Sequence, residues 1–291
     1  MFNHILYRIG TFIALHLPLK AAYALAVFIS DLHYLVAAVD RRTVGTNLKA
    51  IFPDKPQEEL NDIRRRMSRN FAKYLIDFFR FSKLDKEYIR RNIKVENLHY
   101  FDEALKSGKG VIVLTAHLGN WELGGVVIAL SGYPLWVVAL PHKNKKVDKF
   151  FNGQRESKGI HVIPFGKAAR QCFNRLKENK MVALVGDRDF SEKGIVVDFF
   201  GKKSYFPLGP AAFSMKTGSV IVPGFMLRNA DDSFTLRIEK PIEFKEQQQA
   251  RAQEEKDARL LEIVNSYKSL FEGYIRKYPD QWYMFRRFWI E

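Results

Sequence analysis

Apolar residues crowd the first 40 positions so densely that they nearly encircle any helix drawn through them. Charge breaks in at Arg8, Lys20 and Asp31, leaving uncharged runs of 11 and 10 residues between them. Both runs fall short of the ~20 apolar residues that a spanning helix needs. No small-x-small cleavage site follows one continuous apolar core, so a cleaved signal peptide is not expected. The pattern admits a membrane-associated helix or re-entrant hairpin, or else a helical layer packed on the rest of the chain. All-round apolarity favours the membrane-associated segment, over residues 1–40.

The period changes after Asp54. Leu60, Ile63, Met67, Phe71, Tyr74, Leu75, Phe78 and Phe79 recur at helical spacing, with Arg64, Arg65, Arg66, Arg69, Lys73 and Arg80 on the other face. DKPQ before this run suggests an N-cap with glutamine at the third helical position. From about residue 110 short apolar runs alternate with helical patterns. VIVLT (111–115) predicts a buried strand and 121–130 a helix; PLWVVAL (134–140) predicts a strand and 147–159 a helix. IHVIPF, a helix over 167–179, MVALV and IVVDFFGKK continue the rhythm. A helix over 207–218 and a strand pair, VIVPGFMLR and SFTLRIE, follow. A last long helix, 253–278, lines up Leu260, Val264, Tyr267, Phe271, Tyr274 and Tyr278. The expected fold is α/β: a central mixed, mostly parallel sheet with helices on both faces, forming one domain over 41–291 after the N-terminal segment.

Composition adds two constraints. Lys and Arg outnumber Asp and Glu by 47 to 32, a formal charge of +15 that calls for an anionic partner: nucleic acid, an anionic membrane or an acidic protein. Helix-turn-helix, zinc-finger and RNP-like patterns are missing, and the basic residues share the chain with an unusually apolar N-terminus, so nucleic acid is not expected. The single cysteine, Cys172, excludes an internal disulfide and a cysteine-rich zinc site, and suits a reducing compartment.

Candidate chemistry concentrates in GKGVIVLTAHLGNWELGGVVIAL, residues 108–130. His117 lies just past a strand's carboxyl end, where open α/β sheets place their sites. Asn120 is a good N-cap for the helix beginning WELGG, and Glu122 then sits in its first turn, where a carboxylate is favoured. Along a continuous helix, five residues would rotate the two side chains apart by about 140°. A strand–loop–helix corner can instead bring them together, His117 as a base toward a hydroxyl and Glu122 as the group that fixes its tautomer. The competing reading is a structural histidine beside a helix-start carboxylate. No G-x-S-x-G elbow is present, so the nucleophile is expected to be a hydroxyl of the substrate. GDRD follows another strand; Asp187 and Asp189 could serve the site, form a metal-binding D-x-D as in nucleotide-sugar glycosyltransferases, or be turn acids paired with arginine. PHKNKKVDK (141–149) could meet lipid phosphates or an acidic carrier, or be a solvated loop. FFGKKSYFP could line an acyl pocket or form an ordinary hairpin. WYMFRRFW suits the membrane interface or a segment docked on the domain.

HLGNWE resembles the H-x4-D/E motif of the glycerolipid acyltransferase superfamily, and its histidine–tryptophan–glutamate form resembles the lauroyl/myristoyl late acyltransferases of lipid A biosynthesis. The resemblance runs nearly end to end: TVGTNLKAIFP (43–53), R-x3-G at Arg155 and Gly159, GDRD, VVDFFGKKSYFPLGPAAFSMKTG and YPDQWYMFRRFW (278–289) stand in the family's order. Arg188 departs from the small amide side chain that many members carry there. The resemblance implies transfer of a fatty acyl group from acyl carrier protein or coenzyme A to a hydroxyl of a lipid A precursor or related glycolipid. The enzyme would work at the cytoplasmic face of the inner membrane. His117 would be the general base and Glu122 its partner, with Asn120, Trp121, Arg155, Asp187 and Asp189 around the substrate. No metal or resident cofactor is implied, the acyl thioester being a co-substrate, and a monomer is expected. Acceptors of another glycolipid or lysophospholipid kind, and a metal-dependent glycosyltransferase, stand as alternatives.

Overall fold

The computed structural model describes residues 2–189, 193–242 and 253–290 of the chain, with side chains from Ile5 onward. The apolar N-terminus forms α1 (Phe2–His16) and α2 (Leu19–Val36), and α3 (Ala38–Ile51) continues past the expected boundary at residue 40. α4 (Gln57–Phe79) is the helix on which the first three rest. It starts two residues later than the DKPQ cap predicts: Pro56 is the capping residue and makes no side-chain bond. The proline fixes its own backbone for the position but offers no oxygen to the free amides. Its predicted apolar face is otherwise met, with Leu60, Ile63, Met67, Tyr74, Phe78 and Phe79 buried.

The sequence pattern did not single out the next elements, α5 (Lys86–Asn92), β1 (Ile93–Glu96) and α6 (His99–Leu105). These are short, and IKVE has too few apolar positions to signal a strand. Then come β2 (Val111–Thr115), α7 (Trp121–Leu130), β3 (Leu135–Ala139), α8 (Lys145–Glu156), β4 (Ile160–Pro164), α9 (Ala168–Lys177) and β5 (Met181–Val185). The chain ends with β6 (Ile195–Phe199), β7 (Lys202–Phe206), α10 (Gly209–Thr217), β8 (Val220–Arg228), β9 (Phe234–Ile238) and α11 (Gln253–Lys277).

Seven strands form one sheet in the order β1-β9-β8-β2-β5-β3-β4, parallel throughout except for the β8–β9 pair. The sheet is mixed and mostly parallel, with helices on both faces. Alternation along β2 shows how: Val111 and Val113 join one core with α4, α6 and α7, while Ile112 and Leu114 join the other with α9, α10 and α11. All four are at most 4% exposed, which is why VIVLT reads as an unbroken apolar run. β6 and β7 make a separate antiparallel hairpin, whose Phe199 and Phe206 are fully buried against the second core. The FFGKKSYFP segment is therefore a hairpin packed on the domain.

Strand order positions the site. β2 and β5 are neighbours in register, Thr115 opposite Val185, so the second residue past each strand lands at the same level: His117 and Asp187.

Candidate active site

The corner after β2 is built by backbone constraints before any catalytic group is considered. Gly119 has φ +64°, and a Cβ there would lie 2.0 Å from the Met226 carbonyl oxygen, so only glycine fits. Its N–H donates to the Gln281 carbonyl at 2.8 Å, and the N–H of Asn120 donates to that of Met226 at 2.8 Å. The Tyr283 N–H donates to the His117 carbonyl at 2.9 Å, and Leu118 bridges Trp282. The C-terminal segment thus clamps the corner from one side and β8 from the other. Trp282 is fully buried, so WYMFRRFW docks on the domain through its first half, while Arg286 and Arg287 stay exposed.

Within the clamp, His117 Nδ1 lies 2.8 Å from Asp187 Oδ1. The backbone N–H of His117 donates to both Asp187 oxygens at 3.1 Å, and Trp282 Nε1 donates to Oδ2 at 2.9 Å. Asp187 is 0% exposed. Burial works to raise its carboxyl, but the adjacent imidazole and these N–H donors outweigh burial and hold it below the usual carboxylate range. An ionised carboxylate only accepts, so Nδ1 carries the proton and the basic lone pair sits on Nε2. The imidazole retains 17% of its side-chain exposure, enough to meet a substrate.

Glu122 is placed differently from expectation. It receives Arg155 Nε at 2.9 Å and Nη2 at 2.5 Å, a two-pronged pair from α7 to α8, and Arg155 Nη1 also donates to Asn152. Burial disfavours the Arg155 charge, yet Glu122 more than offsets this and raises its pKa. The tautomer-fixing carboxylate beside His117 is Asp187, and Glu122 holds Arg155. The physical reason is the corner itself: with Glu122 in the first turn of α7, its side chain meets α8, whereas β5 delivers a carboxylate at the histidine's own level.

Asn120 caps α7 through Leu123 N–H (3.1 Å) and donates to Asp77 at 3.0 Å. At 2% exposure, it shapes the corner rather than facing substrate. Trp121 packs edge-on to His117 (5.2 Å between rings) and stacks on Tyr74 at 4.8 Å. Asp189 accepts the Gly194 N–H at 2.6 Å, so the two acids of GDRD have separate settings. Arg188 is half-buried; burial and nearby Arg286 lower its pKa. Among the described residues, no group of three or more His, Cys, Asp or Glu is arranged to hold a metal. The lysines of 141–149 are exposed, and Asn144 caps α8.

A buried polar network missed by sequence reasoning lies behind the corner. Asp77 of α4 receives Tyr23 of α2, Arg228 of β8 and Asn120. Burial opposes the Arg228 charge, but Asp77 and Tyr23 stabilise it and push its pKa up. Gln281 completes the network by exchanging two hydrogen bonds of 2.9 Å with the Arg228 backbone. An aspartate within the otherwise apolar face of α4 was the available signal.

Glu122 and Arg155 also line a cavity of about 90 Å³, walled by the sheet and α7. Its lining is otherwise largely apolar, and Gly124, Gly125 and Gly224 leave it room. His117 does not line this slot itself; Trp121, which does, packs on the imidazole, and a histidine with a proton on Nδ1 is equipped to take a proton from a hydroxyl.

The bacterial lipid A biosynthesis acyltransferase family matches residues 1–291. The chain belongs to that family. Membership makes it an O-acyltransferase acting on glycolipids. A phosphatidylinositol mannoside acyltransferase of Mycolicibacterium smegmatis is 25% identical over 92% of this chain and 86% of its own length. A lipid A biosynthesis acyltransferase of Haemophilus influenzae is 27% identical over 74% of this chain and 68% of its own. A lipid A biosynthesis palmitoleoyltransferase of Escherichia coli is 25% identical over 64% and 61%.

Proposed function

We propose that this acyltransferase moves a fatty acyl group from acyl carrier protein or coenzyme A onto a hydroxyl of a membrane glycolipid. The acceptor would be of the lipid A precursor or phosphatidylinositol mannoside kind. The observation that carries the mechanism is the His117 Nδ1–Asp187 contact, with Trp121 between the imidazole and the apolar cavity. His117 Nε2 takes the acceptor hydroxyl proton as its oxygen attacks the thioester carbonyl. The C–S bond then breaks, and the imidazolium returns the proton to the departing thiolate, leaving ester and thiol. Asp187 holds the imidazole and stabilises its charged form. The donor's acyl chain enters the cavity walled by α7, where Arg155, held by Glu122, is among the lining residues. Every step uses side chains of this protein and the two substrates.

The setting proposed is the cytoplasmic face of the inner membrane. Its support is the net charge of +15 and a run of outward apolar side chains on α1 and α2, including Phe12, Phe28, Leu35 and Val36 at 60–78% exposure. α2, at 18 residues, has the length and composition to cross a membrane, and an interfacial seat fits the charges that interrupt the segment.

The test is transfer of radiolabelled acyl groups, with both donors, to a tetra-acylated lipid A precursor and to a phosphatidylinositol mannoside. Product with one acceptor, reduced about 10²–10⁴-fold in His117→Ala, is expected. His117→Ala with wild-type turnover would overturn the mechanism.

A further inference from the structure

A cavity of about 780 Å³ lies apart from the corner that carries His117. It lies between α1, α2, α3 and α4, within the size range of small-molecule sites. Leu25 and Ala26 of α2 face Ala72 and Leu75 of α4 across it. Its rim is different in character, because Arg41 and Arg64 border it. Both are half-buried, and among the described residues neither forms an ion pair. Arg64 donates to the Tyr34 hydroxyl at 2.7 Å, the Arg41 carbonyl at 2.8 Å and Asn61 at 2.9 Å, three of the donors its guanidinium carries. Asp40 shares the lining but lies beyond ion-pair distance of either arginine. Two half-buried cations without a carboxylate, above a hydrocarbon-lined hollow, are complementary to an anionic head group joined to an acyl chain.

The surroundings say where such a molecule would come from. The same helices carry the outward apolar residues: Ile29 both lines the cavity and is 55% exposed, and Val39 beside the arginine rim is 70% exposed. An apolar surface of this extent marks contact with another apolar phase. At the inner end, Phe71 stacks on Tyr74 at 5.6 Å, and Tyr74 on Trp121, which touches His117. A chain lodged here would be separated from the catalytic corner by a single file of rings.

We propose that this cavity is a second lipid site, seating an acyl chain of a membrane lipid of net negative charge whose phosphate rests on Arg41 and Arg64. The placement suits the acceptor, which must bring both a hydrocarbon anchor and a hydroxyl to His117. The proposal rests on the reading that the enzyme works on bilayer lipid. Its test needs no turnover, so a protein inactive with every acceptor still reports on it.

The full chain is placed in phosphatidylcholine nanodiscs doped with phosphatidylglycerol carrying a mid-chain diazirine, irradiated, and its adducts are mapped by mass spectrometry. Adducts on α4 at Ala72 and Leu75 are expected, in addition to those on the outward face of α2. Arg41→Gln with Arg64→Gln should lower α4 labelling by phosphatidylglycerol about fivefold or more and leave labelling by a phosphatidylcholine diazirine unchanged. Ala72→Trp, or Ala26→Phe should the first fail to fold, should abolish α4 adducts while those at Phe28 and Leu32 persist. Labelling confined to the outward faces of α1 and α2, or α4 labelling indifferent to these substitutions, would overturn the proposal.

Discussion

At the scale of single residues, the site turns on which carboxylate meets His117. Asp187 is fully buried and accepts N–H donors from His117 and Trp282, so its folded-state pKa is depressed. A depressed carboxyl contributes stability that is present above its unfolded value, ~3.9, and is lost as pH falls through the lower folded value. Melting temperatures measured from neutral to acid pH should therefore fall more steeply in wild type than in Asp187→Asn, which has no proton to take up. Parallel curves would count against an ionised Asp187. Gly119 is a second residue-scale determinant. Gly119→Ala would combine a positive φ with a clash on the Met226 carbonyl, costing about 1–3 kcal/mol or more in strain. Soluble, folded Gly119→Ala with full activity would show that the corner is softer than this. The sequence made His117 and the need for a partner legible from the strand end and helix cap. It could not name the partner, because that depends on which strand lies beside β2.

At the scale of elements, that neighbour is β5, three strands later in the chain, rather than β3. Hydrophobic runs located β2, α7, β4 and β5 within a residue or two, most plainly β2, whose burial on both faces leaves an unbroken apolar run. They carry no information on lateral order, which is settled by how the crossover helices pack. The Glu122–Arg155 pair is likewise a contact between elements, joining α7 to α8 with 14% and 11% side-chain exposure. Removing one member leaves a largely buried charge without its partner, at a cost of about 3–5 kcal/mol. Arg155→Ala should accordingly lower the unfolding midpoint more than Glu122→Gln with Arg155→Gln. A double-mutant cycle should return an interaction energy of about 0.5–3 kcal/mol. Additive effects would mean that the pair is ornamental to α7–α8 packing.

For the whole molecule, the Asp77 network links the apolar α2, through Tyr23, to the catalytic corner, through Asn120. The N-terminal helices are thus part of the folded core as well as an apolar surface: α2 buries Ala22 and Tyr23 on α4 while exposing Phe28, Leu35 and Val36, the face proposed to meet the membrane. Flotation with vesicles should show binding to phosphatidylcholine alone, strengthened by phosphatidylglycerol, with only the added part lost at high salt. No flotation with either vesicle would contradict the membrane setting. The central claim, however, is that Asp187 positions the catalytic base, and the most direct test is steady-state acyl transfer by Asp187→Asn. The kcat should fall about 10²–10⁴-fold, with KM for donor and acceptor within a few-fold of wild type. An Asp187→Asn enzyme that keeps wild-type kcat would contradict it.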